Sequence, residues 1–469
     1  MADANIDVEN AIELTETNIN GGKESIDAID AIDAIDTIET EPLVAENGEP
    51  SKDVKKHSSG GHGEFGQEGT ATASQAVLNI FISFVGAGML GMPYAFSQAG
   101  WLLGGVTVFV VSAFNVYCML LLVKIRKHLE SKGHTGISGY GDVGRIVAGA
   151  VGEKLVNACL VISQIGFATA YIIFIAANVN SITDGKINRA TICFGCVPIL
   201  AVLVQIQDMK TLSPFSLIAD VSNLLGFTAV ILQDYKNYQY HHEPIVAANF
   251  AHVLYIASVT LYSMEGIGLI LPLESSCANR EGFPVLLKKS IFGITSLMIV
   301  FGAAGYVAFG SGTLAPITLN LSGTIWSIFV KVALCLALYL TYPIMMFPIN
   351  KVMEEMVLGD GSRPNRIFRA FAVLMSACVA YSIPDFGKFL GLVGASICNL
   401  LGFILPCYFH LKIFEKKDLR LWEYLLDYFL IVFGILFGIL GTYDGVMNLI
   451  SGESGSAHRL LLSASNMIK

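Results

Sequence analysis

An all-α polytopic membrane protein is the fold class this sequence predicts, and three observations carry the prediction. Of its 469 residues, 54% are hydrophobic and only 14% charged, where soluble domains carry about a quarter charged residues. Apolar stretches long enough to cross about 30 Å of hydrocarbon recur from Ala73 onward. The short alternating segments of a membrane barrel are missing, so the spans read as helices.

The elements follow in order. Residues 1–72 hold 17 Asp/Glu against four Lys, and their only aromatic residue is Phe65. Ile-Asp-Ala repeats every three residues between Ser25 and Asp36, a period that suits neither helix nor strand. The segment is expected to be a disordered acidic tail, with docking of a protein partner as the alternative reading. Eleven spans are predicted at roughly 74–97, 100–123, 155–180, 190–207, 212–232, 250–272, 289–309, 324–347, 367–384, 387–411 and 425–450. The fourth, fifth and ninth have the weakest signal. A transmembrane domain over 73–450 and a short tail over 451–469 complete the organisation.

The acidic tail hides a mildly basic body, because the net charge of −9 splits into −13 on residues 1–72 and +4 on the rest. With a cytoplasmic N-terminus, the cytoplasmic segments collect 22 Lys/Arg and the opposite side six. The positive-inside bias therefore predicts a cytoplasmic N-terminus. Eleven spans then leave the C-terminus outside or in a lumen. The sequon Asn320-Leu-Ser322 falls in a predicted outer loop, in agreement.

No concentrated basic surface suggests nucleic acid. Walker A, zinc-protease, serine-hydrolase and deaminase patterns are missing, so an enzyme is not expected. Gly86-Ala-Gly-Met-Leu-Gly91 matches GxGxxG but lies in an apolar span without βαβ context. The nine cysteines fall mostly in apolar runs and read as small buried hydrophobes. No metal or other cofactor is expected.

Two spans are unusual. Span one carries Gly86, Gly88, Gly91 and Pro93 within eight residues, and span six carries Gly266 and Gly268 upstream of Pro272. Glycine lowers the cost of unwinding a helix and proline removes a donor. Broken segments at matching positions of two halves point to a transporter's central site, where freed N–H groups receive a carboxylate and freed C=O groups a cation. Close packing or a simple kink is the competing reading for either segment alone. The pair, five spans apart, implies two inverted repeats, 74–232 and 250–411, with span eleven appended.

Glu265 sits in the middle of span six, and a bare carboxylate at that depth is expected to be paired, protonated or facing an aqueous cavity. Proton or substrate contact and structural support of the break both remain open. Asp220 and Lys331 are further ionisable residues at depth, and Asp385 and Asp444 lie nearer interfaces. Thr341 precedes Pro343 in span eight, where it either offers oxygen to a cation or bonds back to its own helix. Asn79, Ser83, Asn178 and Asn399 line a path or join helices.

The run Gly86-Ala-Gly-Met-Leu-Gly-Met-Pro-Tyr-Ala-Phe-Ser-Gln-Ala-Gly100 resembles the first-helix signature of the amino acid/auxin permease family. Glu265-Gly-Ile-Gly-Leu-Ile-Leu-Pro-Leu-Glu274 with Phe283-Pro resembles its sixth-helix region, and Tyr342-Pro-Ile-Met-Met-Phe-Pro its eighth. The resemblance spans 73–450. It implies an eleven-helix fold with an inverted five-plus-five core of the amino acid–polyamine–cation transporter type. It further implies transport of small neutral amino acids by alternating access, driven by protons or, in some branches, sodium. Substrate would meet Ser83, Val85, Gly86, Ala87, Gly88 and Met89 in span one, and Tyr262, Ser263, Glu265, Gly266 and Gly268 in span six. Glu265 and Thr341 are the expected proton or cation contacts. The family's outer-loop disulfide is not expected, because predicted loops 233–249 and 310–323 contain no cysteine. Glu39-Thr-Glu-Pro-Leu-Val44 partly resembles an acidic dileucine signal, which favours a vacuolar or lysosomal membrane over the plasma membrane. The alternatives in function are an amino acid sensor signalling through its tail, and a passive channel.

Overall fold

The structure, a computed structural model, describes residues 69, 71–206, 209–238, 248, 252–321, 323–358, 365–417 and 419–451. The predicted acidic tail up to residue 68, Ser322 of the sequon and the tail after residue 451 lie outside the described residues, as does the side chain of Asp220.

Helices dominate the described residues. Seven are long and apolar enough to cross a membrane, and an eighth span arises if the bent pair at the start of the body counts as one. That pair consists of α1 (Ala73–Phe84) and α2 (Met92–Ala99), joined through a 3₁₀ turn over Ala87–Gly91 and bent by 49°. A capping box starts α1: Gln75 N donates to Thr72 Oγ1 while Thr72 N donates to Gln75 Oε1. Just upstream, Ala71 pairs with Cys277 in a parallel bridge fixed by Gly69 N to Ser275 O at 3.0 Å, Ala71 N to Ser276 O at 2.9 Å and Ala278 N to Ala71 O at 3.1 Å.

The following elements are α3 (Trp101–Ser131) and α4 (Tyr140–Ile182). Both run past the predicted apolar spans, because hydropathy marks only the part of a helix that faces hydrocarbon. α4 breaks at Gly149, whose φ of +66° is a left-handed conformation open to glycine and strained for other residues. The predicted fourth span falls on two short helices, α5 (Arg189–Gly195) and α6 (Val197–Leu203), divided where Pro198 opens α6. The fifth falls on α7 (Met209–Tyr238).

The second half begins with the broken pair α8 (Val253–Ser263) and α9 (Ile267–Ser276), followed by α10 (Phe283–Phe309), α11 (Ile325–Leu358) and α12 (Arg366–Ser382). The tenth predicted span is α13 (Phe386–Val393), two π-helical turns over Gly394–Cys398 and Leu400–Ile404, and α14 (Leu405–Ile413). α15 (Leu421–Ser451) closes the chain's described part. α11 packs mainly on α4 and α7, and α10 on α2, α3 and α7, which leaves the broken pairs surrounded by other helices. α15 is the most lipid-like of the long helices, with 28% of its apolar window buried.

Ion pairs concentrate at helix ends. Arg126 donates to Glu130 at 2.9 Å and lies 3.6 Å from the fully buried Glu274, while Arg280 reaches Glu130 at 3.1 Å. Arg369 grips Glu354 with two bonds of 2.8 and 3.0 Å. Lys331 does not meet a carboxylate among the described residues; its ammonium donates to Ser181 Oγ at 3.0 Å.

Candidate functional site

The two interrupted spans face each other at their breaks. In the first, Val85 (φ −90°, ψ 92°) and Gly86 (φ −140°, ψ −157°) are extended, and the helix resumes through Met89 N to Gly86 O at 3.1 Å. In the second, Met264 and Gly266 leave helical geometry, and α9 starts with Leu269 N to Gly266 O at 2.9 Å. The N–H groups of Gly86, Ala87, Gly88, Gly266, Ile267 and Gly268 make no backbone hydrogen bond among the described residues. Each break therefore presents three donors at the start of a helical segment, the arrangement that attracts an anionic group.

Glycine is required where the breaks touch. A methyl on Gly88 would stand 2.5 Å from Ser263 Oγ and 3.0 Å from Ser263 Cα, and one on Gly266 would stand 2.5 Å from the Phe84 ring. The contacts run crosswise, each glycine meeting the partner span just before its break. Gly86 differs, having open space around the position of a Cβ. Gly268 packs on Leu160 of α4. Ala87 and Met89 are buried, and Val85 and Ser83 are half-buried.

The polar groups at the breaks divide into satisfied and unsatisfied. Ser83 Oγ donates to Asn79 O at 2.7 Å and Ser263 Oγ to Val259 O at 2.8 Å, so both hydroxyls are engaged by their own helices. Tyr262 is buried, its ring edge-on to Phe167 of α4 at 4.8 Å, and its hydroxyl has no hydrogen-bond partner among the described residues. The Glu265 side chain is half-buried and makes no hydrogen bond or ion pair among the described residues. Tyr140, Cys159 and Cys398 lie within electrostatic reach of it. A carboxyl group left without a partner at this depth is the kind that marks an ion or substrate path.

The Thr341 hydroxyl donates to Ala337 O at 2.8 Å, a back-bond within its own helix that leaves its oxygen lone pairs unused by this bond. Sequence reasoning missed Asn115 of α3, whose Nδ2 donates to Met264 O at 3.3 Å inside the second break while its buried Oδ1 has no partner among the described residues. An asparagine in an apolar helix was the signal, but only the fold shows which backbone it supports. Asp427 and His410 were also missed, and the structure pairs them at 2.6 Å, both fully buried.

Comparison with known proteins places this geometry in context. The profile of the family described as "Transmembrane amino acid transporter protein" matches residues 69–447. Relatives include amino acid transporter AVT3A of Arabidopsis thaliana, 35% identical over 386 residues that make up 80% of this chain and 90% of that protein. Vacuolar amino acid transporter 3 of Saccharomyces cerevisiae is 28% identical and matches 72% of this chain and 51% of its own length. Among solved structures, the nucleobase-cation-symport-1 family transporter Mhp1 superposes with a TM-score of 0.48 at 14% identity, over 84% of this chain and 96% of that one, a likeness too loose to fix topology. The match over residues 69–447 and the paired helix breaks within it put the chain in the family of transmembrane amino acid transporter proteins: a multi-pass secondary transporter of amino acids, and not an enzyme.

Proposed function

We propose that the chain carries small neutral amino acids together with protons, by alternating access, across a vacuolar or lysosomal membrane. The observation that supports this reading is the crosswise contact of the two breaks, with their unengaged N–H donors and, among the described residues, a buried Tyr262 hydroxyl without a partner and a half-buried Glu265 carboxyl without a hydrogen bond or ion pair. The substrate carboxylate docks on the donors of Gly86–Gly88 and Gly266–Gly268, and the open space at Gly86 receives part of the substrate. Glu265 holds the coupled proton. A neutral carboxyl is buried in the membrane interior at far lower cost than a carboxylate, which is the physical reason to protonate it when the site closes to water. Thr341 is the contact for a cation if sodium replaces the proton. The eleven-span, five-plus-five arrangement and the cytoplasmic N-terminus belong to the same proposal. They rest on the spacing of the breaks and on the 22-to-six distribution of basic residues.

A panel of labelled amino acids, tested in proteoliposomes under separate proton and sodium gradients, examines the proposal. Uptake of small neutral amino acids that rises with an imposed proton gradient is expected. Uptake driven by sodium alone would overturn the coupling, and binding without uptake under either gradient would make the protein a sensor.

A further inference from the structure

Outside the helix breaks, one buried cluster joins three helices. His410 of α14 meets Asp427 of α15 through Nδ1 and Oδ2 at 2.6 Å, and Tyr117 of α3 donates to the other carboxylate oxygen at 2.8 Å. Neither His410 nor Asp427 has any exposed surface. A carboxylate only accepts hydrogen bonds, so Nδ1 of His410 carries the hydrogen, and in the neutral ring Nε2 holds the lone pair. That Nε2 is buried and has no hydrogen-bond partner among the described residues. A histidine fixed only to hold helices together would be expected to satisfy both ring nitrogens.

The surroundings form a line of titratable groups. From α3 come Tyr117, Cys118, Lys124 and His128; from α15 come Glu423 and Asp427; α14 itself adds Cys407, and α4 adds Tyr140. The thiols of Cys118 and Cys407 lie 3.8 Å apart, and Cys407 lies against Asp427. Tyr140 is within electrostatic reach of both thiols and of Glu265, and its ring meets Phe409 at 6.0 Å. Toward the helix ends, Phe414 separates His410 from His128, at ring distances of 4.8 and 4.3 Å. Beyond it, Lys124 and Glu423 pair at 3.0 Å, and Lys124 is 39% exposed.

The geometry points to His410 and Asp427 as a second proton-binding site, between the half-buried Glu265 and the end of the bundle that carries the 414–420 loop. A proton arriving from water at that end binds Nε2 and turns the imidazole into an imidazolium held by the Asp427 carboxylate. Its release restores the neutral ring, and no other bond changes. The inference rests on the proton-coupled reading for its role in transport, though not for the existence of the site.

Proton uptake by the purified full chain, followed with an indicator dye, tests the site without any substrate. Over a full pH titration of the folded protein, the wild type is expected to bind about one proton more than His410→Gln. Equal uptake by the two proteins overturns the inference. Should His410→Gln fail to fold, Asp427→Asn carries the test, because it keeps an acceptor for Nδ1–H but removes the charge that favours imidazolium. It is expected to take up less proton than the wild type over the same pH range, and uptake equal to the wild type's overturns the site. In oriented proteoliposomes, amino acid uptake by His410→Gln is expected to change less than about twofold with pH on the 414–420 side, while wild-type uptake follows it. Identical profiles confine the pair to a structural role. Wild-type uptake that ignores pH on both sides refutes proton coupling, while a surviving difference in proton binding leaves the site standing.

Discussion

At the scale of single residues, the two breaks make opposite demands on neighbouring glycines. Gly86→Ala places a methyl in open space on an extended backbone, so the fold is expected to tolerate it. If that space receives substrate, the apparent affinity for amino acid falls about tenfold or more, the usual worth of one methyl in a binding pocket. Gly88→Ala drives a methyl into Ser263, including its backbone, and is expected to cost about 1–3 kcal/mol as overpacking. Thermal unfolding in detergent alongside uptake kinetics separates the two, and equal destabilisation would contradict the geometry. Glu265→Gln retains the size of the side chain but cannot exchange a proton, so uptake is expected to lose its dependence on pH with the protein still folded. Retained pH dependence would leave Glu265 a structural task. The glycines and Glu265 were legible in the sequence because each is anomalous in its own local run of apolar residues. Asn115 and the His410–Asp427 pair were not, since a polar residue's partner across 17 or 149 positions depends on tertiary placement.

Elements are held by fewer features than their apolar surfaces suggest. The end of α11 and the start of α12 are joined by Glu354 and Arg369, both nearly fully buried and bonded at two points, and Asn365 N also donates to Glu354 at 2.8 Å. Arg369→Leu strands a buried carboxylate, and about 3–5 kcal/mol of stability is expected to go with it. Replacing both partners with apolar residues is expected to cost much less, so a double-mutant cycle followed by thermal unfolding checks the pair rather than either charge. Helix existence was readable from hydropathy, but of the eleven predicted spans eight at most coincide with helices long and apolar enough to cross a membrane. The fourth, fifth and ninth fall on shorter or less apolar helix among the described residues. Three features of these elements were not readable. The extension of α3 to Ser131 and the early start of α4 at Tyr140 are polar enough to escape a hydropathy window. The π-helical turns over Gly394–Ile404 change hydrogen-bond register without changing the apolar pattern, so composition carries no trace of them.

For the whole molecule, the strap at Gly69 and Ala71 is the first hydrogen-bonded feature among the described residues. Three backbone bonds tie Gly69, Ala71 and Ala278 into the bridge at the end of α9, and Thr72 then caps α1. This strap connects the start of the first broken span to the end of the second, so both halves of the candidate site share one support. The acidic composition upstream, with 17 Asp/Glu before residue 73, contains no apolar run able to bury itself in the bundle. Two truncations therefore have different expected outcomes. Removing residues 1–66 keeps the strap and cap, and both thermal stability and uptake are expected to match the full chain. Removing residues 1–72 deletes those three bonds, each worth about 0.5–1.5 kcal/mol, and a cap worth about 1 kcal/mol. A loss of about 2–5 kcal/mol is expected, together with slower uptake as the two broken spans lose their common tie. Thermal unfolding and initial uptake rates on the two truncated proteins provide the comparison. If the shorter deletion abolishes uptake while the protein remains folded, the tail is part of the transport machinery and the strap is not its boundary.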